Sequence, residues 1–154
     1  QLEAPQPSSK TRSPDVTNLT WELPDSWIPS TGHSMRLASF DIPFSDGVGD
    51  LSIVSLGGAS GGLLANVNRW RGQVNLSPIS ESEILNVSTV GESKMGPFRI
   101  FKMINDVDTS NAIIAAVLPT GQKTFFITLT TTKKGVIELQ SVFERFCASI
   151  GNSS

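Results

Sequence analysis

One histidine, one cysteine, a pair of nearby aspartates and a short glycine-rich stretch are the residues of this chain with chemistry to offer. His33 is the only imidazole, so a Ser-His-Asp arrangement must use it, and a metal site without it would rest on carboxylates alone. It stands in the loop PSTGHSM between Gly32 and Ser34, where a lone histidine reads as a solvated side chain. Asp106 and Asp108 lie two apart in NDVDTSN, a spacing shared with calcium loops. The later glycine and bidentate glutamate of such a loop are missing, so they read as a solvated acidic loop. Cys147 alone excludes an internal disulfide and any multi-cysteine metal site. Val136, Leu139, Phe143, Phe146 and Ile150 recur around it at helical spacing, which makes the thiol a small buried hydrophobe.

The stretch Gly57 to Gln73, GGASGGLLANVNRWRGQ, carries the densest signal. Gly57, Gly58, Gly61 and Gly62 run from a strand into a helix start, where backbone N–H groups and the helix dipole can meet an anion. Gly58, Gly61 and Gly62 are therefore the candidate anion-binding turn. The stretch lacks a Gly-Lys-Ser/Thr ending and the dinucleotide spacing. Its glycines also fit a plainer role, positive φ and close packing where strand meets helix. In the helix from about Leu63 to Val74, apolar Leu63, Leu64, Val67, Trp70 and Val74 recur at three and four. Asn66, Arg69 and Gln73 form a second stripe, and Asn68 and Arg71 lie elsewhere around the axis. Asn is a poor helix former, so this density of amides beside two guanidinium groups points to specific hydrogen bonds. Two readings stay open. The arginines tie the helix to loop carbonyls or carboxylates, or Asn66, Asn68, Arg69, Arg71 and Gln73 contact a partner or an anionic ligand.

These residues need a scaffold, and the chain supplies one. Trp21 and Trp27 bracket the turn at Leu-Pro-Asp-Ser and are expected to clamp the start of the fold onto the core. Met35 to Ile42 alternates apolar and polar as a strand does, FSDGVGD supplies a turn, and Leu51 to Leu56 gives a second strand. After the helix, NLSPISES is a polar loop with a helical turn expected near Ser80 to Glu83. Ile84–Val90, Phe98–Ile104, Ala112–Leu118 and Lys123–Thr131 read as four further strands, of which AIIAAVL is a buried one. Lys133 to Ile150 is amphipathic at helical period and closes before a frayed Asn-Ser-Ser end. Strands joined by short turns and helices with single apolar faces predict an α+β fold, an antiparallel sheet of about six strands with two main helices packed on it.

Length and composition bound the function. A chain of 154 residues is expected to form one domain, 19–151, behind a Pro- and Ser-rich flexible tail, 1–18. Twelve Lys plus Arg against 14 Asp plus Glu leaves a net charge near −2 without a basic run, which removes the general case for nucleic acid. There is no apolar run of the roughly 18 residues that span a bilayer, and no charged-then-apolar leader. The first residue is Gln1 rather than Met, as in a processed or a trimmed chain, and a lipid tether upstream of residue 1 is compatible with either. No cofactor is expected.

MRLASF, a Gly-Gly turn followed by NVNRWRGQ, the closing strand KTFFITL and a final helix ending VFERFCASI resemble a group of uncharacterised bacterial cell-envelope proteins, often predicted lipoproteins. NVNRWRGQ is the most specific part of that pattern. The layout, with Leu23, Pro24 and Trp27 ahead of an antiparallel sheet and a C-terminal helix, also resembles the PsbP/Mog1 fold, whose members include photosystem accessory proteins and a binder of a small GTPase. The resemblance implies a noncatalytic, extracytoplasmic binding or assembly module, its partner an envelope protein or a small anionic ligand. It carries over no functional residue. The alternative is an enzyme acting on a small anionic substrate at the Gly57 to Gln73 junction, with His33 or a carboxylate as base.

Overall fold

The computed structural model describes residues 19–31, 35–57, 62–121 and 123–152. The elements run β1 (Leu19–Thr20), β2 (Ile28–Pro29), β3 (Ala38–Phe44), β4 (Gly47–Gly57), α1 (Gly62–Gln73), β5 (Ser88–Ser93), β6 (Gly96–Ile104), β7 (Ala112–Pro119), β8 (Lys123–Thr131), α2 (Lys133–Ala148) and β9 (Gly151–Asn152). Seven strands form one antiparallel sheet in the order β2-β3-β4-β8-β7-β6-β5, and β1 pairs with β9 in a separate ribbon. The α+β class is as the sequence predicts. The main sheet has seven strands rather than about six, because Ile28 and Pro29 pair with Asp41 and Phe40 at the edge of β3. Two residues are too few to show a period.

Four boundaries differ from expectation, each for a local reason. β4 opens at Gly47, not Leu51, because Gly47 to Asp50 pair with Phe44 to Asp41, which leaves only Ser45 and Asp46 of FSDGVGD as the turn. β3 opens at Ala38, not Met35, because Met35 has φ 70° and is 88% exposed, outside the ladder. β5 opens at Ser88, not Ile84, because residues 81–87 coil into turns. The Ser80 N–H and hydroxyl both donate to Glu83 Oε1, at 2.8 and 3.0 Å, which starts the helical turn foreseen at that point. At the other end of the chain, Asn152 pairs with Leu19, and Gly151 with Thr20, so the first residue of the Asn-Ser-Ser end is held in a strand, while Ser153 and Ser154 lie outside the described residues.

The two helices cover opposite faces of the sheet. On one, Phe143, Phe146 and Leu139 of α2 pack over Ala112, Ile114, Ala116 and Leu118 of β7 and over Phe125, Ile127 and Leu129 of β8. On the other, Val67 and Trp70 of α1, with Val74 just past its end, pack over Ile113, Ala115 and Val117 of β7 and over Phe101 and Met103 of β6. AIIAAVL is apolar at every position because its strand is buried on both sides. Thr132 caps α2, its hydroxyl accepting from Gly135 N–H at 3.0 Å. Gly135 has no substitute there, since a Cβ would collide with Thr131. Trp21 and Trp27 close the α2 side as expected, their ring centroids 6.0 and 4.8 Å from that of Phe146. Cys147 lies in the same core, where burial and then the nearby Glu144 push its thiol pKa far up. Glu138 of α2 accepts from both the N–H and the hydroxyl of Ser45 in the two-residue turn between β3 and β4.

Truncating Phe146, fully buried among Trp21, Trp27 and Phe40, should cost about 3 to 5 kcal/mol in urea unfolding. An intact unfolding midpoint in Phe146→Ala would show that the indoles do not depend on this ring. The Ser45 bonds hold the Glu138 pKa below its ordinary value. Glu138 therefore contributes stability above the unfolded-state pKa, and that contribution is lost as pH falls through the lower folded value. Ser45→Ala should flatten this acid-side fall in the unfolding midpoint, read by thermal melts across the carboxylate range.

Candidate functional site

The polar residues of α1 sort into those that hold backbone and those that face water. Asn68 clamps the following loop through both amide atoms, Nδ2 donating to Ile79 O at 3.0 Å and Oδ1 accepting from Ile79 N–H at 2.9 Å. Arg71 Nε donates to Ser77 O at 2.6 Å. Asn66 is only 2% exposed, with Nδ2 on Gly62 O at 2.6 Å and Oδ1 accepting from Arg69 Nη1 at 2.5 Å. The Arg69 side chain emerges to solvent beside Trp70, its guanidinium carbon 5.7 Å from the indole centroid. Gln73 is exposed. Asn66 and Arg69 thus meet, while Asn68 and Arg71 reach a different segment from Gln73.

Of the glycine turn, Gly62 is described and Gly58 and Gly61 lie outside the described residues, as does His33. Gly62 opens α1 at φ 69°, a conformation that an L side chain resists. The far end of the helix is closed by Asn75 at φ 64°, with Asn105 Nδ2 donating to the carbonyls of Val74 and Asn75 at 3.1 and 3.0 Å. The acidic loop is part of this fastening. Asp108 accepts from Ser110 and from Asn75 Nδ2, at 3.2 Å for the latter, and Asp106 pairs with Lys133 at 2.9 Å. Among the described residues no group of three His, Cys, Asp or Glu side chains could hold a metal. No helix among them is long and apolar enough to cross a membrane.

Beside the first turn of α1 the sheet face stays open as a groove of about 360 Å³. The strand register builds its floor. Phe126, Val117, Arg99 and Val90 are successive cross-strand partners on β8, β7, β6 and β5, so their side chains share one face. Leu56, Thr124 and Pro119 form the next row on β4, β8 and β7. Gly62, Leu63 and Asn66 of α1 make the wall, with Pro97 and Phe98 at the β6 end. Phe98 is seated by Gly91, its partner on β5, where a Cβ would run into the ring. The volume falls in the range of about 300 to 1,000 Å³ typical of small-molecule sites.

Sequence reasoning did not reach this groove, because Leu56, Val90, Arg99, Val117 and Phe126 become neighbours only through strand order and register. One signal was present: Arg99 interrupts FRIFKMI at a position whose alternate neighbours, Phe101 and Met103, are buried under α1. Arg99 is half-buried, and its Nη1 donates to Ser88 Oγ at 2.9 Å.

No protein-family model matches the chain, and no curated protein matches it in sequence. Solved structures do. A Bacteroides thetaiotaomicron VPI-5482 protein matches 90% of this chain with a TM-score of 0.53 and 15% identity, and the chain spans 46% of that protein. The solution structure of cyanobacterial PsbP (CyanoP) from Synechocystis sp. PCC 6803 matches 89% of this chain and 94% of its own, with a TM-score of 0.52 and 14% identity. LpqN of Mycobacterium tuberculosis, involved in cell envelope biogenesis, gives a TM-score of 0.48 at 11% identity, over 86% of this chain and 81% of its own. The likeness to cyanobacterial PsbP is one of fold, a PsbP-like α+β arrangement.

Asn68→Ala leaves the Ile79 N–H and C=O without their partner and should cost about 1 to 3 kcal/mol in urea unfolding. Gln73→Ala on the exposed side should stay within about 0.5 kcal/mol of the parent. Equal losses in the two variants would refute the anchoring role of Asn68.

Proposed function

We propose that the α+β unit beginning at Leu19 is a noncatalytic binding module that takes a small, mainly apolar molecule in the groove between the first turn of α1 and strands β4 to β8, and that it works outside the cytoplasm of a bacterium, at the cell envelope. The observation that carries the binding role is the groove itself, lined across five strands by Leu56, Phe126, Val117 and Val90 beside a helix whose position is fixed by hydrogen bonds. Sites of this kind combine apolar walls with a few placed polar groups, here the Asn66 amide, the Thr124 hydroxyl and the Arg99 guanidinium. A PsbP-like fold and the resemblance of NVNRWRGQ to envelope proteins support the module reading and the compartment. Arg69 and Gln73 face solvent on the same helix, and of the polar α1 set they are the positions left to meet a partner protein.

Nile red, a neutral apolar dye, should bind the protein saturably with a rise in emission. Val117→Trp, which puts an indole into the groove floor, should weaken that binding by about tenfold or more, equivalent to about 1.4 kcal/mol. Leu56→Trp provides a second obstruction should the first variant fail to fold. Unchanged dye affinity in a variant with the parent melting curve would refute the groove as the site. Compartment is read separately, by expressing the full precursor in a bacterium and fractionating the cells. Recovery in the periplasmic or membrane fraction is expected, and recovery in the cytosol would exclude an envelope role.

A further inference from the structure

The geometry points to a fatty-acid-like monocarboxylate as the occupant, its apolar chain lying across β4 to β6 and its carboxylate on Arg99; this rests on the groove reading above. The first support is charge. Among the described residues Arg99 is the one ionisable side chain in the lining, and no Asp or Glu of them contributes to it. The second is the incomplete hydrogen bonding of that guanidinium. Its Nη1 donates to Ser88 Oγ, and the Ser88 hydroxyl in turn donates to Leu85 O at 3.0 Å, which fixes the oxygen as an acceptor. Among the described residues Arg99 makes no ion pair, although Glu92 is its diagonal neighbour on β5. A guanidinium carries five donors in a planar fork that matches a carboxylate bidentately. Tethered by one bond and half out of water, Arg99 has the remaining donors to offer to an incoming anion.

The third support is shape. The floor crosses five strands, from Leu56 on β4 to Val90 on β5. Four interstrand spacings of about 4.8 Å make that span about 19 Å. An extended methylene chain follows such a floor over Leu56, Phe126 and Val117, whereas a compact apolar ring would leave most of the row uncovered. The cation sits on β6, one strand from the β5 end, so a chain with its acid group on Arg99 runs toward β4 beneath Leu63.

Titration calorimetry of the full chain with decanoate and with decanol tests the assignment. Decanoate should bind about tenfold tighter or more, the advantage of a charge-assisted hydrogen-bonded pair. Arg99→Gln should abolish the preference, decanoate then binding no tighter than decanol, and Arg99→Lys, which keeps the charge without the fork, should retain part of it. Equal affinity of the two probes for the parent, or an undiminished preference in Arg99→Gln, would overturn the carboxylate while leaving the groove reading standing. Failure of both probes to bind or to displace Nile red would overturn the ligand class and, if Nile red is also indifferent to Val117→Trp, the groove with it.

Discussion

Burial of strand β7 on both faces is the constraint from which the rest of the fold follows. Every residue from Ala112 to Leu118 is buried, and the two alternating sets belong to different cores. A strand of this kind cannot lie at the edge of a sheet or face water on either side, so one helix is required on each face. The alanines at 112, 115 and 116 keep the strand thin enough for helices to seat closely, and the larger side chains come from the helices themselves, Trp70 from α1 and Phe143 and Phe146 from α2.

The two helices do not cover their faces equally. α2 has 16 residues and starts from the β3–β4 turn, bonded through Glu138, while the chain just past its end meets the β5–β6 turn, where Lys94 N–H donates to Ile150 O at 3.2 Å. α1 has 12 residues, about 18 Å of helix, against roughly 31 Å for the nine residues of β6. What α1 leaves bare differs in character along the sheet. Toward β3 and β4 the same face carries the polar, half-buried Asp41, Asp50 and Ser52, with Ser39 buried beside them, and needs no apolar cover. The direct opposition of Asp41 and Asp50 is offset by Arg36, bidentate on Asp50 at 3.0 and 2.9 Å. Toward β5 to β8 the face is apolar, with Val117 and Phe126 buried at the margin of the α1 contact and Val90 and Pro97 exposed beyond it, and the groove is the part of this face that the short helix does not fill.

The legible and illegible parts of the sequence divide along the same physical line. Periods of two and of about 3.6 are local, so β4, β6, β7, β8 and both helices could be read from FFITLTTT, AIIAAVL and the spacing of Val136, Leu139 and Phe143. The two-residue strands β1, β2 and β9 exist only because a distant segment pairs with them, Leu19 with Asn152 being the plainest case. The cluster of amides and arginines in α1 was visible, but the partners of Asn68 and Arg71 lie in a loop without periodicity, so composition could not choose between anchor and ligand contact. The groove was out of reach for a stronger reason. Placing Arg99 beside Val117 and Val90 needs the order of strands across the sheet and the register of each pair, and a shift of one residue would send Arg99 to the α2 side.

Why the groove persists, instead of closing under α1, comes back to those same polar residues. An apolar floor next to a helix invites the helix to slide over it, since each methylene newly buried is worth about 0.8 kcal/mol. Sliding would break the two amide bonds from Asn68 to Ile79, the Arg71 bond to Ser77 and the Asn105 bonds that close the helix end, and it would lift Trp70 from its edge-to-face seat on Phe126 at 5.8 Å. Leaving several of these groups unpaired costs about 1 to 3 kcal/mol each, more than the floor could return. The Asn and Arg residues of NVNRWRGQ therefore act on the groove without lining most of it: they hold α1 at a fixed distance, so the groove stays open.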